Sequence, residues 1–106
     1  DLKVIELASV LAGPAVGLFF AELGAEVIKI ENKTTGGDVT RLWKVPEEDP
    51  DTPYSAYYCS VNWHKNVYFL NLQNEEDQIF VHKLIQDADV VISNFRQDSA
   101  QKMRMD

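Results

Sequence analysis

The chain has 106 residues, enough for one domain with a modest core, and its 45% hydrophobic and 25% charged content is that of a globular protein rather than a disordered one. A net charge of −7 opposes sequence-independent attraction to nucleic acid or anionic lipid, and no apolar run approaches the roughly 20 residues of a membrane span. Cys59 is the single cysteine, so an intrachain disulfide and a cysteine-based zinc set are both excluded, and a cytoplasmic protein with no nucleic-acid, membrane or metal partner is expected.

Lys3-Val4-Ile5-Glu6-Leu7 is rich in β-formers and reads as a strand, followed by a loop over 8–12. Gly13-Pro14 then opens a helix. Val16, Phe19, Phe20 and Leu23 recur at helical spacing, Pro14 suits the first turn, and Gly24 is placed to end the helix. Its other face is small (Ala15, Gly17, Ala21), so the helix is expected to be buried all round. Glu26-Val27-Ile28-Lys29-Ile30 is a second strand, which completes a βαβ unit with parallel strands.

Residues 32–53 read as a long loop, of a length that is uncommon without a function. A short helix is predicted over 54–60 and a third strand over 66–72. Asn74 then caps a helix whose first turn carries Glu75, Glu76 and Asp77, carboxylates that suit the positive end of the helix dipole, and whose apolar stripe is Ile79, Phe80 and Leu84, with Val81 and Ile85 flanking. A fourth strand covers 88–93, and a further helix starts near Gln97. The expected fold is α/β, a Rossmann-like parallel sheet with flanking helices. Asp1 is not an initiator Met, Leu2 enters a strand at once, and Gln101 to Asp106 stop within a helical pattern, so the chain is expected to be a fragment of a longer protein.

In open parallel sheets ligands bind outside the carboxyl ends of the strands. The places to search are therefore the segments 9–13, 31–41, 73–74 and 94–96. The first runs into a helix N-terminus, yet a G-x-G-x-x-G fingerprint beginning at Gly13 would need glycine where Ala15 and Leu18 stand. Glu31 resembles the ribose-binding acid of dinucleotide folds, but without the glycines it is a weak pointer. Glu6, Glu31 and Asp38 all lie near strand ends, and nothing in the sequence places two of them on one centre. Taken singly, Arg41 and Lys65 read as surface charges or structural ion pairs, and His64 and His82 as surface or packing residues.

The order and spacing of several blocks are more specific. Leu2 to Leu7, Leu11-Ala12-Gly13-Pro14, Leu23-Gly24-Ala25 through Glu31, and Gly37-Asp38-Val39-Thr40-Arg41 resemble the opening of class III CoA-transferases, the family of formyl-CoA transferase, carnitine CoA-transferase and α-methylacyl-CoA racemase. Ser55-Ala56-Tyr57, Val61-Asn62, Lys65 and Ala88 through Arg96 are similar to later blocks of the same family, so the resemblance runs nearly the whole length of residues 1–106.

The resemblance implies a CoA site, with CoA as substrate or acyl carrier and no metal. Leu11 and Ala12 would line it through the main chain. Asn32 stands where a basic residue commonly meets the nucleotide phosphates, with Lys33 beside it. Leu70, Asn71, Leu72 and Gln73 would border the adenine, and Gln73 stands where Lys is frequent. Asn94, Phe95 and Arg96 match the block after the fourth strand, and Lys102 sits where an Arg commonly follows; Gln97-Asp98 replaces a usual Pro-Gly. The catalytic aspartate, which carries CoA as a thioester during transfer, lies further along in the family, so no catalytic residue is expected among these. The implied function is the CoA-binding portion of an acyl-CoA transferase acting on acyl-CoA and carboxylic acid substrates as an interlocked homodimer. The alternatives are an acyl-CoA racemase of the same family and a non-catalytic CoA-binding module.

Overall fold

The computed structural model describes residues 2–7 and 12–93, and the structural statements below concern those residues, with nothing said of the Ala12 side chain. Among them, β1 (Lys3–Leu7), β2 (Glu26–Asn32), β3 (Asn66–Leu70) and β4 (Val90–Ser93) form one four-stranded parallel sheet in the order β3-β2-β1-β4. Three helices join them: α1 (Ala12–Glu22), α2 (Ala56–Asn62) and α3 (Glu75–Gln86). The chain runs outward from β1 to β3 and then returns to the other side of β1, so the topological switch point lies between β1 and β4.

The register gives the sheet two unlike faces. Ile5 pairs with Ile28 and Val91, and these residues share a face with Leu7 and Ile30. That side packs against Leu72 and Val81 to form the apolar core, with Leu70, Leu84, Ile85 and Ala88 around it. The opposite face carries Val4, Glu6, Val27, Lys29 and Glu31, all buried. A parallel sheet covered on both faces ordinarily reads as a continuous apolar run. Here one side of β1 and β2 is charged.

Helix α1 forms as the sequence predicts, one residue earlier at its start, with Pro14 in the first turn. It ends in a Schellman arrangement. Gly24 adopts φ 92°, its N–H donates to Ala21 O at 3.0 Å, and the Ala25 N–H donates to Phe20 O at 3.0 Å. Its expected burial is corrected: Val16, Phe19 and Leu23 are 46%, 59% and 70% exposed. The helix instead buries Pro14 and Gly17, because Gly17 sits directly over the Glu6 carboxylate and any larger side chain would overlap Glu6 Oε1.

Two 3-10 turns, Lys33–Thr35 and Val39–Leu42, occupy the predicted loop after β2. Helix α2 starts two residues later than expected because Ser55 caps it, its hydroxyl accepting from the Tyr58 N–H at 2.9 Å. Asn74 caps α3 as expected, accepting from the Asp77 N–H at 3.2 Å. The buried stripe of α3 is Gln78 and Val81, with Leu84 and Ile85 half-buried, whereas Ile79 and Phe80 are 51% and 41% exposed. The expected stripe was thus rotated about the helix axis. Gln78 takes the inward place because its side-chain amide donates to Leu72 O at 2.7 Å, and Phe80 lies outside the core stacked on Tyr68. Strands β3 and β4 are each two residues shorter than predicted. The helix expected from Gln97 lies outside the described residues.

Candidate functional site

The charged face of the sheet is organised by Lys29. Its ammonium donates to Glu6 Oε2 at 2.9 Å and to Asp38 Oδ2 at 3.0 Å, with all three side chains inaccessible to solvent. Lys65, equally inaccessible, sits 2.6 Å from Glu6 Oε1 as an ion pair whose angle falls outside hydrogen-bond geometry. The Lys65 ammonium also donates to Pro14 O and to Asn62 Oδ1, both at 2.8 Å. Two carboxylates and two ammonium groups therefore form a neutral buried cluster, which is how charges so far from water are tolerated. Glu6 and Asp38 do meet at one centre, through a lysine that sequence reading passed over. The signal was present: a lysine between Ile28 and Ile30 in an interior strand must be paired if it is buried.

A second cluster closes the loop after β2. Arg41 grips Glu31 with both arms of its fork, Nε to Oε1 at 2.7 Å and Nη2 to Oε2 at 2.9 Å. Tyr58 donates its hydroxyl to Glu31 Oε2, and the Asp38 N–H donates to Glu31 Oε1 at 2.7 Å. The guanidinium lies 4.0 Å from the Tyr58 ring centre and 5.0 Å from that of Phe69. Glu31 is the acid that would meet a ribose in a dinucleotide fold, and here it is fully engaged within the protein. Arg41 and Lys65 are structural ion-pair residues, not solvated surface.

Protonation follows from these contacts. Burial alone would raise the Glu31 carboxyl, but the hydrogen bonds from Arg41, Tyr58 and the Asp38 N–H, with the Arg41 charge, hold it below the ordinary carboxylate value. Burial also works against the Asp38 anion, and the Thr40 N–H and hydroxyl together with Lys29 overcome it, so this carboxyl too lies low. The Tyr58 hydroxyl is pushed up by burial and by its bond to Glu31. Lys65 is pushed down to about 8, chiefly by burial; the Glu6 charge opposes the fall, and Lys29 adds to it.

The residues expected at the CoA site fall into three groups. Asn32 and Leu70 are register partners at the ends of β2 and β3, so the structure brings these two together. Asn32 is a turn former: its side-chain oxygen accepts from the Thr34 N–H at 3.0 Å and the Thr34 hydroxyl at 2.7 Å. Lys33 beside it is exposed. Asn71 is likewise engaged, its side chain accepting from the Gln73 N–H at 3.0 Å, while Leu72 is turned into the apolar core and Gln73 is exposed. Ala12 opens α1. Leu11, Asn94, Phe95, Arg96 and Lys102 lie outside the described residues. A cleft of about 450 Å³ beside Arg41 and Lys44 offers no spare ammonium, since Lys44 already donates to Asp49 O, Thr52 O and the Thr52 hydroxyl.

Comparison with known proteins decides what this framework belongs to. The profile of CoA-transferase family III matches residues 1–106. The chain belongs to CoA-transferase family III. Among its relatives, the succinate–glutarate CoA-transferase of Agrobacterium fabrum is 43% identical over 108 residues, covering 99% of this chain and 27% of that enzyme. The succinyl-CoA:mesaconate CoA-transferase of Haloarcula marismortui is 39% identical, covering 96% of this chain and 26% of that enzyme. The formyl-CoA:oxalate CoA-transferase of Escherichia coli is 35% identical, covering 89% and 22%. A crystal structure of a CAIB/BAIF family protein from Brucella suis superposes with a TM-score of 0.86 at 39% identity, over 100% of this chain and 28% of that one. The chain thus spans about a quarter of the length of the family III relatives it matches. The Rossmann-like fold and the resemblance read from the sequence are both upheld.

Proposed function

We propose that residues 1–106 form the N-terminal CoA-binding part of an acyl-CoA transferase that moves CoA between carboxylic acids, with the aspartyl intermediate supplied by a residue outside this stretch. The observation that carries the reading is membership of CoA-transferase family III over the whole chain, combined with a parallel sheet whose switch point lies between β1 and β4. The segments read as CoA-lining follow the carboxyl ends of these strands. In this reading the main chain at Leu11 and Ala12 and the block Asn94, Phe95 and Arg96 flank the cofactor from β1 and β4, and Lys102 adds a cation. From β2 and β3, Asn32 and the segment Leu70 to Gln73 border the nucleotide. Lys33, exposed at the end of β2, supplies the positive charge that Asn32 lacks.

The chemistry fits a chain whose described carboxylates near the strand ends are already engaged. Glu6, Glu31 and Asp38 are all locked to cations or hydrogen-bond donors, so none of them is free to attack a thioester. The protein acts as a cytoplasmic homodimer in which the partner completes the site. Succinyl-CoA and a second dicarboxylic acid are the first substrates to try, because four of the relatives are named for succinate or succinyl-CoA. Incubation of the full-length protein with succinyl-CoA and glutarate, followed by chromatography of the CoA esters, tests the reading. Appearance of glutaryl-CoA supports it. A full-length protein that binds CoA but moves it between none of a panel of carboxylic acids favours the non-catalytic module.

A further inference from the structure

We propose that Lys65 is a positioning residue for CoA binding: by holding the carbonyl of Pro14 it fixes the first turn of α1 at the mouth of the switch point. The inference rests on the functional reading above and deepens it. Lys65 follows α2 and is 51 positions from Pro14 in sequence, so its bond ties the start of α1 to a distant segment. Pro14 itself cannot donate from its nitrogen, so its carbonyl is the handle by which a side chain can grip the main chain there.

The grip is over-determined on the other side. Glu6, near the carboxyl end of β1, pairs with Lys65 through Oε1 and with Lys29 through Oε2. Gly17, one turn further along α1, leaves room for that carboxylate and no more. Strand β1 thus holds Lys65, Lys65 holds Pro14, and the first turn of α1, which opens on Ala12, is tied to the sheet. Asn62 steadies the ammonium from α2 and is itself fixed by donating to Tyr58 O at 2.9 Å. Lys65 is buried and touches no space a ligand can enter, so its effect on CoA runs through Pro14 and not through contact.

The test separates positioning from simple stabilisation. In the full-length protein, Lys65→Met removes the Pro14 contact but also leaves the buried cluster with one uncompensated negative charge, which destabilises the fold. The double variant Glu6→Gln, Lys65→Met removes one charge of each sign, so the Lys29 and Asp38 pair remains neutral and stability returns toward that of the unsubstituted protein. The CoA dissociation constant is measured by calorimetry for the unsubstituted protein and the double variant, with the thermal midpoint of each. A positioning role predicts a midpoint near that of the unsubstituted protein and at least tenfold weaker CoA binding. Recovery of both midpoint and affinity overturns it. Should that double variant not fold, Glu6→Gln with Lys65→Gln, which keeps polar groups facing each other and removes one charge of each sign but leaves a side chain too short to hold Pro14 O, is read in the same way. Absence of CoA binding by the unsubstituted protein overturns the functional reading itself, an outcome distinct from either of these.

Discussion

Glu31 and Arg41 meet in a two-pronged pair, 2.7 Å and 2.9 Å, that folds the segment after β2 back onto the end of its own strand. Ten residues of chain are closed by this contact, and Tyr58 and Phe69 cover the guanidinium from α2 and β3. Arg41→Met leaves the Glu31 carboxylate with no cation at a site where its side chain is 1% exposed, and a loss of about 3 to 5 kcal/mol in urea denaturation is expected. Arg41→Lys keeps the charge but loses the fork and the ring contacts, and is expected to cost about 1 to 2 kcal/mol. Equal stability of Arg41→Met and the unsubstituted protein would show that the pair does not organise the loop.

Two glycines make the clusters possible. A side chain at Gly17 would overlap Glu6 Oε1, and one at Gly37 would overlap Glu31 Oε1 while lying 2.8 Å from Phe69 Cε1, at a φ of 99° that disfavours any side chain. Gly17→Ala and Gly37→Ala are each expected to destabilise by about 1 to 3 kcal/mol. Ala at Gly24, where φ is 92° but the space is open, is expected to cost less than at Gly37. Thermal midpoints of the three variants give the order directly.

Acid should unfold this protein through two known carboxylates. Glu31 and Asp38 lie below their ordinary values of 4.5 and 3.8 in the fold, so the unfolded chain takes up protons first as pH falls. The stability they contribute is present above those values and is lost as pH drops through the lower folded ones. The free energy of unfolding measured from pH 5 downward should therefore fall less steeply in Glu31→Gln than in the unsubstituted protein. Parallel curves would remove Glu31 from the acid transition.

Lys65 predicts a slope of the same sign on the alkaline side. It loses its proton near 8 in the fold and near 10.5 when unfolded, so between these values the unfolded chain holds more protons and stability rises with pH. Urea denaturation from pH 7.5 to about 9.5, below the range in which tyrosines ionise, should show that rise in the unsubstituted protein and its absence in Lys65→Met.

The parts of the structure legible in the sequence are those governed by local chemistry. Pro14 and Gly24 mark the bounds of α1, Asn74 caps α3, and the β-rich runs at Val4 and Val27 become the two central strands. What escaped is decided by tertiary partners. The apolar stripe of α1 looks like a buried face, yet Gly17 is the residue that closes over Glu6, and no spacing rule announces this. Gln78 displaced Ile79 and Phe80 from the core because the carbonyl of Leu72, in the turn that precedes α3, satisfies its amide. The cluster of Glu6, Lys29, Asp38 and Lys65 joins four segments far apart in the chain, and only the pairing of Glu6 with Lys29 across β1 and β2 brings it into register. The candidate CoA residues came from family resemblance; the structure adds that Asn32 and Asn71 are occupied in turns and that Leu72 belongs to the core.

The central claim, that this fold presents a CoA site at the strand ends, is tested most directly by calorimetric titration of the full-length protein with CoA. The account predicts saturable binding that weakens with added salt and in Lys33→Ala, as expected if the nucleotide phosphates meet a cation at the end of β2. A folded protein that gives no heat with CoA would contradict it.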